Sequence, residues 1–187
     1  MNDRHNKTNR SAVERKDINF LRYLDGKTIT FLEQGYDESG PFLRMEHMVP
    51  RQGAMNAPHW HPVLTESFEV KQGSLKGIVD GVEKVLGPGQ RLTIYPKQVH
   101  QFYNVGEEPL IGVHEVRPPG FHWEMFLLHH KLECEGKLSK SGTPHNLLWL
   151  GMLWKYGDGY ATGLPPIIQK VLLGGLARLA KALGYRI

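Results

Sequence analysis

Residues 53–73 read GAMNAPHWHPVLTESFEVKQG, and the spacing of this stretch organises the rest of the chain. His59 and His61 are two positions apart, so on extended backbone both imidazoles point to one face. Glu66 heads the next segment; Phe68 and Val70 share its side, while Ser67 and Glu69 take the other. Further on, His100, Phe102 and Asn104 alternate in the same way and bring a third imidazole toward the same interior. Three imidazoles and one carboxylate form a full protein ligand set for a divalent transition metal. A metal also supplies the counter-charge without which a buried Glu66 is costly.

Ten histidines in 187 residues make one His-x-His pair unremarkable. The flanking positions carry the signal. Gly53 lies six residues before His59, Glu66 five after His61 and Gly73 seven after Glu66; meeting all three spacings by chance is on the order of one in a thousand.

Working outward, residues 18–118 read as short extended runs rich in β-branched and aromatic residues, with no helical period. The runs are Thr28 to Leu32, Phe42 to Val49, Glu66 to Lys71, Leu75 to Val79, Glu83 to Leu86, Arg91 to Tyr95, His100 to Val105 and Leu110 to Val116. Asp80-Gly81 supplies the positive φ angles of a tight hairpin, and Pro88-Gly89 and Gly106 interrupt pairing. Eight such strands predict an all-β core of jelly-roll or barrel form, in which no long edge is left exposed.

Past Arg117-Pro118-Pro119-Gly120 the pattern changes to helical spacing. Helices are predicted over Phe121 to Leu132, over Leu147 to Trp154 and from Pro165-Pro166 onward, where proline opens a helix. Residues 119–187 therefore read as a C-terminal helical extension. In the last helix Ile167, Ile168, Val171, Leu172, Leu176, Leu179, Ala180 and Leu183 make one apolar face, opposed by Gln169, Lys170, Arg178 and Lys181. That face is expected to pack on the barrel or on a second subunit, with peripheral contact to an anionic membrane as the lesser reading. Residues 1–17, charged and nearly free of apolar side chains, are expected to form a flexible tail, with no role for His5.

Composition excludes several classes. Cys134 is the single cysteine, so there is no intrachain disulfide framework, cysteine zinc knuckle or Cys-x-x-Cys redox motif. The net charge of +4 is spread along the chain, and no helix-turn-helix pattern accompanies it, so nucleic acid is not the expected partner. No apolar run has the length of a membrane span or the form of a secretory signal, and a cytoplasmic location is expected.

The quoted stretch resembles the first motif of the cupin superfamily: Gly, five residues, His-x-His, three or four residues, Glu, six residues, Gly. Gly53, His59, His61, Glu66 and Gly73 match it in full. Gly89, His100 and Asn104 fit the second motif, although Tyr95 and Lys97 stand where it has Pro and Gly, with Pro96 between them. That departure predicts a different loop path before His100. The resemblance implies a double-stranded β-helix with a metal inside one open end and, together with apolar surface that the helices leave uncovered, a homodimer. On it we expect His59, His61, Glu66 and His100 to hold one divalent metal. Iron or manganese is the first choice, since no thiolate biases the site toward soft metals; nickel, zinc, copper and cobalt are the alternatives. The expected partner is a small oxygenated organic molecule, and the expected activity is dioxygenase-type oxidation. The alternatives are metal-dependent isomerisation or decarboxylation, or non-catalytic ligand binding. His47 and His114 sit on expected strands, where they are read first as structural residues and second as lining the barrel; Asn104 is read as a hydrogen-bonding residue. No catalytic residue beyond the metal set is assigned.

Overall fold

Period-two alternation of apolar and polar side chains is converted into sheet wherever the run is long enough to bury one side. A computed structural model describes residues 18–187; the tail expected over 1–17, His5 included, lies outside them. The described strands are β1 (Phe20–Arg22), β2 (Thr28–Asp37), β3 (Gly40–Val49), β4 (Gly53–Ala54), β5 (His59–Trp60), β6 (Thr65–Gln72), β7 (Leu75–Val79), β8 (Val82–Leu86), β9 (Arg91–Ile94), β10 (His100–Asn104), β11 (Leu110–Arg117) and β12 (Tyr160–Ala161). Three helices follow the barrel strands: α1 (His122–Cys134), α2 (Leu147–Gly157) and α3 (Pro166–Ala182). The eight strands read from sequence are all present, as β2, β3 and β6 to β11. The others, of two or three residues each, are too short to show a period.

Two antiparallel sheets face each other. One runs β1-β2-β3-β11-β6-β9 and the other β12-β5-β10-β7-β8, with β4 also on β10. The β7–β8 hairpin turns at Asp80 and Gly81, with φ of 49° and 81°, the mirror-image turn that Asp-Gly favours. Between the sheets Phe68, Val70, Leu75, Leu92, Ile94, Phe102 and Leu110 form a dry plug at one end. The other end stays open. A second cluster, Leu21, Ile29, Phe31, Leu43, Met45, Val116 and Leu127, joins the first sheet to α1, and Trp123 of α1 stacks on Phe31 with ring centres 4.2 Å apart. The first helix is thus part of the barrel's own core. On the outer face of this sheet Glu115 accepts from Arg44 Nε at 2.6 Å and Arg117 Nε at 2.7 Å, and Arg117 makes a two-pronged bond to Asp37.

The last two helices pack on each other through Met152, Ala177 and Ala180, together with Leu128 and Leu132 of α1. Asn146 caps α2 by accepting from Leu148 N. The apolar face expected of α3 is not packed on the barrel. Its buried side is Gln169, Ala177 and Ala180, while Ile167, Ile168, Val171, Leu172, Leu179 and Leu183 are 44 to 65% exposed. Gln169 is drawn inward because its amide answers the backbone of the β12 turn, donating to Ala161 O and Leu164 O and accepting from Ala161 N.

Candidate metal centre

The four candidate ligands arrive on three strands and one loop. His59 lies on β5 opposite His100 on β10; Glu66 opens β6 between Ile94 and Val116; His61 follows β5. One ligand atom from each of His59, His61, Glu66 and His100 falls within 4.8 Å of all the others. Glu66 and His100 are buried, as is His61, and His59 is half-buried at the rim.

The tautomers follow from the backbone. His59 Nδ1 lies 2.8 Å from Ala57 O, His61 Nδ1 3.0 Å from Asp158 O and His100 Nδ1 3.0 Å from Gln98 O. A carbonyl oxygen only accepts, so each Nδ1 carries the proton and each Nε2 presents a lone pair to the interior. His61 Nε2, His100 Nε2 and Glu66 Oε2 are buried with no hydrogen-bond partner, although His100 Nε2 and Glu66 Oε2 are 2.6 Å apart. Two lone pairs at that distance need a positive charge to reconcile them. A proton reconciles one pair; a divalent cation serves all four atoms together, and the donor set fits one.

Electrostatics point the same way. Burial pushes the His61 imidazole down to about 3 and also lowers that of His59, which keeps both neutral and able to ligate. For Glu66, burial opposes ionisation, but the imidazoles of His100 and His114 outweigh it and hold the carboxyl well below its ordinary range. Burial lowers the affinity of His100 for a proton, yet the Glu66 carboxylate beside it raises it overall.

The site opens into a cavity of about 410 Å³. Its walls are mostly apolar, with Ile29, Met55, Phe68, Phe102, Phe126, Leu153 and Trp154 among them, and Lys27 is its one lysine or arginine among the described residues. Four further histidines line it: His47, His114, His122 and His129. His114 Nε2 lies 3.2 Å from Glu66 Oε1, and the rings of His47 and His114 are 5.3 Å apart. His122 comes from α1, its ring 5.6 Å from His61, and burial lowers it to about 4. Of the two readings of His47 and His114, the one in which they line the barrel is found: their parity on β3 and β11, in step with the buried Met45 and Val116, points both rings inward. His122 had no such signal, since nothing local says that α1 caps the barrel. Tyr95 is exposed and Trp123 sits in the α1 core; neither lines the cavity. Asn104 is a hydrogen-bonding residue as expected, donating to Val49 O and accepting from Gly106 N.

Against known proteins, residues 45–114 match the family model described as a cupin domain. Those residues form a cupin domain. Solved structures similar to it include KdgF from Halomonas sp., 17% identical over 50% of this chain and 79% of that one, with a TM-score of 0.44. An RmlC-like cupin from Shewanella frigidimarina NCIMB 400 is 18% identical over 52% and 82%, with a TM-score of 0.44. A sugar phosphate isomerase of the cupin superfamily from Silicibacter pomeroyi DSS-3 is 19% identical over 56% and 74%, with a TM-score of 0.45. No curated protein matches the chain. The cupin loop before His100 departs in residues but keeps a glycine-like conformation at the position in question: Lys97 has φ of 71°, and its N–H donates to His61 O at 2.7 Å.

Proposed function

We propose that this cupin holds one divalent transition metal on His59, His61, Glu66 and His100 and uses it on a small, largely apolar molecule that carries an oxygen donor. The observation that supports this reading most is the convergence of three imidazole lone pairs and a buried carboxylate at the end of an apolar cavity. When bound, a divalent metal supplies Lewis acidity and, if redox-active, activation of dioxygen. His114 orients the Glu66 carboxylate from its second oxygen, while His47 and His122 offer polar contacts to the ligand on the facing wall. The aromatic and aliphatic lining excludes water and grips a hydrophobic body. Polyols and phosphate esters are poorly served, because they need several donors and cations and the described lining supplies Lys27 as its one lysine or arginine. An aromatic or diketone-like substrate oxidised with dioxygen fits this lining best.

Elemental analysis of protein purified without added metal tests the first step. About one transition-metal ion per chain is expected, with iron or manganese first, and His61→Ala and Glu66→Gln are expected to lose most of it while remaining folded. Full metal retention by both variants overturns the ligand assignment. Oxygen uptake on the loaded protein with phenolic, diketone and sugar-acid compounds then tests the chemistry; turnover confined to sugar acids overturns the apolar-substrate reading. Metal binding with ligand-dependent stabilisation but no turnover against any compound makes the site a binding site rather than a catalytic one.

A further inference from the structure

The exposed face of α3 is the largest feature that the metal site leaves unexplained. At 100° per residue Ile168, Val171, Leu172, Leu179 and Leu183 fall along one side of the helix, and the side next to it is already buried against α2 through Ala177 and Ala180. Lys170, Arg178 and Lys181 edge the exposed side, and residues 159–187 contain no aspartate or glutamate at all. No described helix is long and apolar enough to cross a membrane. An amphipathic helix with a cationic edge, held by its far side to a folded domain, is built to lie in an interface rather than to span it.

We infer that α3 docks this protein on an anionic lipid bilayer, its exposed leucines, isoleucines and valine entering the headgroup boundary and its cations resting on the lipid charge. Charge complementarity selects this occupant over a second copy of the chain. Two copies meeting on this face across a twofold axis bring Lys170, Arg178 and Lys181 toward their equivalents, with no acid on the helix to pair with them. Anionic headgroups satisfy the same cations, and the apolar stripe needs no partner of matching shape.

Flotation of the full chain with phosphatidylcholine vesicles containing about one-third phosphatidylglycerol tests the inference. Enrichment on these vesicles over pure phosphatidylcholine of at least about tenfold is expected at low salt, falling as salt is raised. Leu172→Glu with Leu179→Glu replaces side chains that are already exposed, so the fold is retained by circular dichroism while binding to anionic vesicles is lost. Replacing Lys170 or Lys181 by glutamine lowers partitioning by on the order of fivefold each. Equal partitioning on charged and neutral vesicles overturns the inference, as does binding that survives the double leucine substitution. A dimer in sedimentation that the same substitution splits, with no lipid bound by either form, assigns the face to a second copy and overturns it too.

Discussion

Lys97 stands where the motif has glycine and adopts a backbone conformation that favours glycine. Its φ of 71° lies in the left-handed region, where a side chain costs about 1–2 kcal/mol and glycine does not. The loop keeps this conformation because Lys97 N–H is tied to His61 O, beside a candidate ligand, and Tyr95 N–H is held by the Gln98 side chain. Lys97→Gly is therefore expected to stabilise the protein by about 1 kcal/mol in urea denaturation, with metal content unchanged. Glu115 offers a pH test away from the metal. Burial opposes its ionisation, but bonds from Arg117 and Arg44 prevail and hold its carboxyl below 4.5. Its stabilisation is thus fully present above that value and lost as pH falls through the depressed one. Glu115→Gln should cost about 2 kcal/mol near neutral pH, and the gap between variant and parent should shrink in denaturation curves taken from pH 6 down to pH 3.

At the scale of elements, the crossing of α2 and α3 depends on Gly151. A Cβ there meets Leu176 Cβ at 2.7 Å, Ala177 N at 2.8 Å and Leu173 O at 2.9 Å. Alanine gains about 1 kcal/mol of helix propensity, yet two of the three atoms it strikes are backbone and cannot rotate away. Overpacking of this kind costs about 1–3 kcal/mol, so Gly151→Ala is expected to lower the chemical denaturation midpoint on balance. The same pair of helices marks where sequence reading fails. Strands β3, β6, β10 and β11 were legible because one buried face imposes a two-residue period, and the convergence of the four candidate side chains was legible because the His59–His61 and His100–Asn104 periods share that face. The face that α3 buries was not legible. Hydrophobicity ranks Leu172 and Leu179 above Gln169 and Ala177, but close approach at Gly151 favours the small alanine, and the backbone around Ala161 and Leu164 calls the glutamine inward.

At the scale of the whole molecule, barrel and helices meet at the candidate metal centre. Asp158, in a left-handed conformation at the C-terminus of α2, offers its carbonyl to His61 Nδ1. Beside it, the Gly159 backbone leaves room for His59 and His61, since a Cβ there would lie 3.4 Å from each ring. Gly159→Val is expected to reduce metal affinity by about tenfold or more through the tilt it forces on both imidazoles, read by competition with a chelator. The carbonyl of Asp158 makes the two regions partners in one equilibrium. Whatever fixes His61 in its ligating orientation also fixes the end of α2, so metal saturation at about a hundred times its dissociation constant should add up to about 2.7 kcal/mol of protection to residues 147–187 against proteolysis. Reciprocity demands the converse: if the barrel holds an ion, a surface that grips α3 and steadies α2 should tighten that hold, which would make the Asp158 carbonyl a two-way messenger between the outside of the protein and the candidate site.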